Sequence, residues 1–138
     1  MPITDAVKPV QKVTISEMSK EFADNFAIVS WGDPGSEVDD KITVTLQLVN
    51  PLGDNLVAKE RIRLTCTENA DMDLVSGGDG TVLSGAASDD MIIETDETTG
   101  SFDLEVSYNQ AGTITVVGGA TQGSGFVHCG ASVDLTFA

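Results

Sequence analysis

The chain has 138 residues, is 41% hydrophobic and contains only five Phe, one Trp and one Tyr, which suits a single domain with a core of Val, Ile and Leu. Its 22 acidic and 7 basic residues give a net charge of -15. A surface this negative repels phosphates, so neither nucleic acid nor an anionic membrane is an expected partner.

The first 25 residues are predicted to form an arm that precedes the main domain. Thr14 and Glu17 have the spacing of a helix capping box, and Ile15, Met18 and Phe22 fall on one helical face. A short helix here would either cover one end of the domain or dock on a neighbouring subunit. The arm has no apolar run long enough for a signal peptide, so we expect synthesis and folding in a cytoplasm.

Four segments alternate apolar and polar residues with the period of a strand that has one buried and one solvated face. They cover residues 42–49, 60–67, 102–108 and 127–137, and weaker strands are predicted at 26–31, 91–95 and 112–117. The predicted inward residues are Ile42, Val44, Leu46, Leu48, Ile62, Leu64, Cys66, Phe102, Leu104, Val106, Tyr108, Val127, Cys129, Ala131, Val133, Leu135 and Phe137.

Turn residues separate these strands at short intervals. Residues 50–55 are predicted to join the first two strong strands as a hairpin, and residues 97–100 and 109–112 flank the strand at 102–108. The polar segment 68–90 is interpreted as a long connection with one or two short edge strands. About seven strands of this kind predict an all-β, immunoglobulin-like (Ig-like) two-sheet sandwich at residues 26–138, with a small closed barrel as the alternative.

No residue pattern predicts a catalytic centre. The single histidine, His128, falls on an outward face, and one histidine cannot build the clusters typical of zinc catalysis. The glycine-rich run 76–85 is followed by Ala86 and Ala87 where a phosphate loop needs Lys and Ser or Thr, and Thr121 replaces the first glycine of a nucleophile elbow. We therefore expect no enzyme activity and no cofactor.

The two cysteines, Cys66 and Cys129, both fall on inward faces of different strands. They would be either two free buried thiols, as expected in a cytoplasm, or a disulfide between the sheets. The only tryptophan, Trp31, precedes both cysteines, whereas in antibody domains the tryptophan lies between them.

Acidic residues in the loops raise the question of a calcium site. Asn69, Asp71 and Asp73 have the first three spacings of an EF-hand loop, but Leu74 stands where glycine is needed. Further oxygens could come from residues 89–90 and 96–97. A solvated acidic rim is the commoner arrangement, so no metal site is predicted.

Three segments resemble the bacterial Ig-like domains of the invasin and intimin type. Residues 42–57 (ITVTLQLVNPLGDNLV) look like that family's strand, turn and apolar pair, residues 95–106 (TDETTGSFDLEV) like its segment from Thr-Asp to Val, and residues 111–116 (AGTITV) like the strand that follows. The resemblance covers residues 40–137 and implies an Ig-like fold with no catalytic residues.

The short acidic chain, which ends in an apolar strand finishing at Phe137 and Ala138, also resembles the single-domain Ig-like virion proteins of tailed bacteriophages. Bacterial adhesins instead repeat the domain in tandem behind an export signal. The phage resemblance implies a structural role on the particle, commonly as a capsid decoration or cement protein.

These observations predict a non-enzymatic virion structural protein that binds the outer surface of a phage head, as a homo-oligomer. Its partner would be the major capsid protein or another virion protein, and the predicted contact residues are Lys8, Lys12, Lys20, Phe22 and Phe26. One alternative is a carbohydrate- or host-cell-binding module of a phage head or tail, with recognition in residues 68–90. Another is a calcium-stabilised adhesin domain.

Overall fold

The structure, a computed structural model, describes residues 23–120 and 127–138. Its strands are β1 (Ala27–Trp31), β2 (Lys41–Val49), β3 (Arg61–Cys66), β4 (Asp71–Leu74), β5 (Thr81–Ser84), β6 (Asp90–Glu94), β7 (Ser101–Ser107), β8 (Gly112–Ala120), β9 (Val127–Cys129) and β10 (Ala131–Phe137). No helix in these residues is long and apolar enough to cross a membrane.

The strands form two sheets of five. The first sheet has the order β4-β7-β2-β1-β9 and the second the order β10-β8-β3-β6-β5. All neighbours are antiparallel except β1 and β9, which are parallel. The predicted Ig-like sandwich is confirmed.

The core lies between the sheets and consists of aliphatic side chains with two phenylalanines. The buried residues follow the alternation read from the sequence: every second residue of β2 is buried while the intervening ones face solvent or lie half-buried. The largest fully buried side chains are Phe102, Phe137, Leu46, Leu48, Ile62, Leu64, Met72, Met91, Ile93, Leu104, Ile114 and Leu135. Tyr108 is only half-buried and packs its ring edge-on against Phe137, with the centroids 5.7 Å apart.

The predicted hairpin between β2 and β3 is wrong, because the two strands belong to opposite sheets. The turn itself forms: the Asn50 side chain accepts hydrogen bonds from the amides of Leu52 and Asp54, both at 3.0 Å. The Leu56 amide then donates to the Leu48 carbonyl at 2.8 Å. Only after this short return does the chain cross to the second sheet and bury Leu56 at the core margin.

The segment 68–90 contains two short strands, β4 and β5, and each is an edge strand, as predicted. The last predicted strand is in fact two. At Gly130 the chain leaves β9 in the first sheet and continues as β10 in the second, and a Cβ at Gly130 would collide with the Gly118 carbonyl oxygen. In the part of the chain that the structure describes, these three features raise the number of strands from about seven to ten.

The loops that connect the strands lie at the two ends of the sandwich. Odd-numbered strands run away from Ala23 and even-numbered strands return, except that β10 continues the direction of β9. The end where the chain enters at Ala23 is called the arm end. The opposite end holds the loops 32–40, 67–70, 85–89 and 108–111 and is called the acidic end.

Candidate functional site

The loops of the acidic end are negatively charged. Its four loops contain six acidic residues and no Lys or Arg: Asp33, Glu37, Asp39, Asp40, Glu68 and Asp89. A depression of about 380 Å³ opens between three of these loops, lined by Asp40, Glu68, Asn69, Asp71, Ser107, Tyr108, Asn109 and Gln110. This arrangement repels anions and presents carboxylates and amides to solvent.

The backbone at this end is held in uncommon conformations. In the described chain, the residues other than glycine with positive φ are Asp39 (53°), Asp40 (62°), Glu68 (59°) and Ala87 (56°). All four lie in the loops of the acidic end. Such conformations persist when surrounding contacts hold them, and the amide of Ala87 does donate to the Met72 carbonyl at 2.8 Å.

Of the residues considered for calcium, Asn69, Asp71 and Asp89 line one shallow depression, whereas the others lie apart from it. Asp71 and Asp73 lie exposed on β4, and the Asp73 carboxylate accepts a hydrogen bond from the next amide, Leu74, at 2.8 Å. Asp90 is bound by Arg63 on the outer face of the second sheet, whereas Asp96 lies at the arm end. In residues 23–120 and 127–138 no group of three or more His, Cys, Asp or Glu side chains could hold a metal ion.

Within residues 23–120 and 127–138, two carboxyl groups have displaced pKa values, and both are lowered. The hydrogen bond from the Arg63 guanidinium lowers the pKa of Asp90, and the hydrogen bond from the Thr98 hydroxyl lowers that of Asp96. Asp90 is exposed and Asp96 is partly exposed, and both stay ionised at neutral pH. Proton donation by a general acid needs the opposite shift.

Cys66 is a free thiol, so a disulfide to Cys129 is absent. Its Sγ is half-buried and donates to the Ala70 carbonyl at 3.5 Å. Burial raises the pKa of this thiol to about 11, with the nearby charges of Asp89 and Asp71 contributing. A thiol that stays protonated at neutral pH is a poor nucleophile. The side chains of His128 and Cys129 lie outside the described part of the structure.

Most of the predicted partner-binding residues also lie outside it: Lys8, Lys12, Lys20 and Phe22 precede the first described residue. Phe26 is half-buried just before β1, and its amide donates to the Ala23 carbonyl at 3.1 Å. Ala23 is buried, and the carboxylate of Asp24 accepts a hydrogen bond from the Asn50 side chain at 3.1 Å. The last residues of the predicted arm therefore already pack against the sandwich.

No sequence motif pointed to the outer face of β3, β8 and β10, here called the β8 face. The three strands carry only Arg61, Arg63 and Asp134 as charged residues. Threonines dominate the rest: the Thr115 hydroxyl donates to Asp134 at 2.7 Å, and the Thr113 and Thr136 hydroxyls are 3.1 Å apart. Val117 is 45% exposed at its centre. The residues at the outward positions of the alternating strand pattern, with few charges and several threonines, could have identified this face from the sequence.

Comparison with known proteins supports the fold. No protein-family model matches the chain, and neither does any curated protein. Among solved structures it is similar to a glycosyl hydrolase family 2 (GH2) member from Bacteroides cellulosilyticus DSM 14838, with a TM-score of 0.55 and 21% sequence identity. The similarity covers 80% of this chain but only 15% of that chain. It is a likeness of fold.

Proposed function

We propose that this protein is a non-enzymatic structural component of a phage particle that decorates the outer surface of the head. Residues 1–22 would make the contact with the capsid. The observation that carries the proposal is the placement of charge along the chain: residues 1–22 have as many bases as acids, whereas residues 23–138 are strongly acidic. The chain enters the sandwich at Ala23, at the end opposite the loops of the acidic end.

The charge of the chain supports this orientation. Residues 1–22 contain three lysines and three acids, whereas residues 23–138 contain four bases and nineteen acids. The whole net charge of -15 therefore belongs to residues 23–138. An arm without net charge can approach a protein surface that would repel the rest, and the acidic end would then face solvent.

The architecture also suits a binding role without catalysis. The two displaced carboxyl pKa values favour the ionised form, and Cys66 is held as a thiol. The similarity to a glycosyl hydrolase chain extends over 15% of that chain, so the enzyme's activity is not carried over with the fold. Many copies on a capsid lattice would give avidity to a weak single contact.

The test is co-sedimentation with purified capsids that lack the protein. A chain without residues 1–22 keeps Ala23 and Asp24, which pack against the sandwich, and should fold but no longer sediment with capsids. Replacing Lys8, Lys12 and Lys20 together by Ala should weaken binding by roughly tenfold or more, since each charged contact contributes up to about 1 kcal/mol.

The matched control is Lys41→Ala. Lys41 is an exposed lysine beside the acidic end, 3.5 Å from Glu105, and its loss should leave capsid binding unchanged. Full binding by the shortened chain would contradict the proposal. So would binding to host cells or their surface glycans in the absence of capsids, which is the result expected of a receptor-binding module.

A further inference from the structure

The two sheets have four edges, and three of them are short or covered. On β4 the Met72 amide donates to the Ser88 carbonyl at 2.9 Å, and the Met72 carbonyl accepts from the Ala87 amide. β5 has four residues and a register shift between Val82 and Ser84. β9 has three residues. Natural proteins use such devices to prevent pairing with another chain.

The fourth edge, β10, has none of these devices. It has seven residues and pairs with β8 in unbroken register from Ala131 to Phe137. It contains no Pro or Lys, and Asp134 is its one charged residue. In the described chain no strand pairs with its other side.

The hydrogen bonds of β8 show which backbone groups of β10 face outward. The Thr115 carbonyl accepts from the Thr67 amide and the Thr115 amide donates to the Thr67 hydroxyl, both at 3.0 Å, so Thr115 faces β3. Because backbone direction alternates, Ile114 and Val116 face β10. Their partners Leu135 and Val133 bond back to β8. The amides and carbonyls of Ser132, Asp134 and Thr136 therefore point away from β8, at the open edge of the sheet.

Contacts at both ends hold β10 in place. The Trp31 indole N–H donates to the Ala131 carbonyl at 3.0 Å, and the Ala138 amide donates to the Glu37 carboxylate at 2.8 Å. Leu135 and Phe137 are buried in the core between these contacts. A fixed strand loses little conformational entropy when another strand adds to it.

We propose that a second copy of this chain adds to β10, so that two β10 strands pair antiparallel across a two-fold axis and the second sheets join into one sheet of ten strands. The charges favour a second copy at this place. Beside the seam, β8 and β10 carry Asp134 as their one charged residue, so two copies of a chain with a net charge of -15 repel each other less here than at the acidic end, whose loops hold six acids and no base.

The side chains select the register. If the two-fold axis passed through Asp134, the two Asp134 carboxylates would lie opposite each other, which is unfavourable. In either adjacent symmetric register, Asp134 of one copy lies opposite the hydroxyl of Ser132 or Thr136 in the other. The same kind of pair already joins Asp134 to Thr115 within one copy. The contact depends on β10 alone and not on the role proposed above.

The first test is sedimentation equilibrium of the full chain with two variants at one position. In Asp134→Pro, the lost N–H points out of the sheet, so pairing with β8 is kept while pairing with a second copy loses one hydrogen bond per copy. The dimer dissociation constant should rise at least about tenfold. Asp134→Asn keeps the N–H and should dimerise at least as tightly as the unmodified chain.

A chain that stays monomeric up to about 1 mM would overturn the proposal, because a dimer weaker than that has no useful stability. Equal dissociation constants for Asp134→Pro and the unmodified chain would also overturn it. Circular dichroism of both variants checks that the sandwich is intact.

The second test needs no variant and decides the question if Asp134→Pro does not fold. Amide exchange of the unmodified chain is followed by NMR at low and high protein concentration. The amides of Ser132, Asp134 and Thr136 should exchange fast when dilute and slow at least tenfold when concentrated, whereas those of Val133 and Leu135 should be protected throughout. Exchange at the three outward amides that does not change with concentration would refute the contact.

Discussion

Two glycines at the arm end show how closely the backbone packs where the chain crosses from the first sheet to the second. Gly100 precedes β7 with φ +70°, and a Cβ there would overlap the Leu56 carbonyl oxygen. Its carbonyl also accepts the Leu48 amide at 2.9 Å. Gly53, in the turn after β2, has a similar φ of +87° but has nothing within 4 Å of the Cβ position. Both glycines have a positive φ, but only Gly100 would have a steric clash at Cβ. Comparing them therefore separates the cost of the backbone conformation from the cost of the clash.

We expect Gly100→Ala to lower the free energy of unfolding by more than about 3 kcal/mol, since the Leu56 backbone must move as well. Gly53→Ala should cost only about 1–2 kcal/mol, the price of a left-handed conformation with a side chain. Urea unfolding of both variants measures the difference. Equal losses in the two variants would show that the crossing from the first sheet to the second is loose.

At the scale of elements, side-chain pairs connect neighbouring strands within a sheet. In the second sheet, Arg63 of β3 donates to Asp90 of β6 through Nε at 3.0 Å and a terminal guanidinium nitrogen at 2.7 Å. The two residues sit diagonally on the outer face, because Arg63 is opposite Ile92 and Asp90 is opposite Thr65. Both are exposed, so solvent screens the pair.

The lowered pKa of Asp90 gives this pair a predictable pH dependence. The native state binds a proton at Asp90 less readily than the unfolded chain does. The stabilisation is therefore present above the unfolded pKa and is lost as the pH falls through the native one. In Arg63→Gln, the pKa of Asp90 should rise towards its ordinary value, as measured by NMR titration of the carboxyl group.

Asp96 provides the control for that titration. Its pKa is lowered by Thr98 and not by an arginine, so Arg63→Gln should leave it unchanged. An Asp90 pKa that did not move in the variant would mean that the bidentate pair is not formed in solution.

For the whole molecule, the excess of negative charge acts against the compact state. Residues 23–138 hold nineteen acids and four bases, and the loops of the acidic end bring six of these acids together without a base. Repulsion among them opposes folding and is screened by salt. The melting temperature should therefore rise between about 10 and about 150 mM salt, where the Debye length falls to about 8 Å.

The combined variant Asp39→Asn, Asp40→Asn and Glu68→Gln tests that explanation. Asn tolerates the left-handed backbone of Asp39 and Asp40, so the change removes charge without new strain at those positions. The variant should melt higher than the unmodified chain at low salt and respond less to added salt. The same salt response in both proteins would place the repulsion elsewhere in the molecule.

The sequence by itself determined where most of the strands lie and which side of them faces the core. In residues 42–49 and 102–108, alternation alone identified the side chains that are buried or half-buried in the structure, because the direction of a side chain in a strand is a local property with a period of two. The edge position of the strands in 68–90 followed from their short length and polar surroundings.

Only the tertiary structure decided how those strands are arranged. The turn at 50–55 has the residues of a hairpin, yet the next strand lies in the other sheet, and the final strand changes sheet at Gly130. The bare edge of β10 and the weakly charged β8 face also depend on which strands become neighbours. Pairing joins residues far apart in the chain, such as Leu64 and Gly118, so the choice depends on packing the whole core and no local pattern records it.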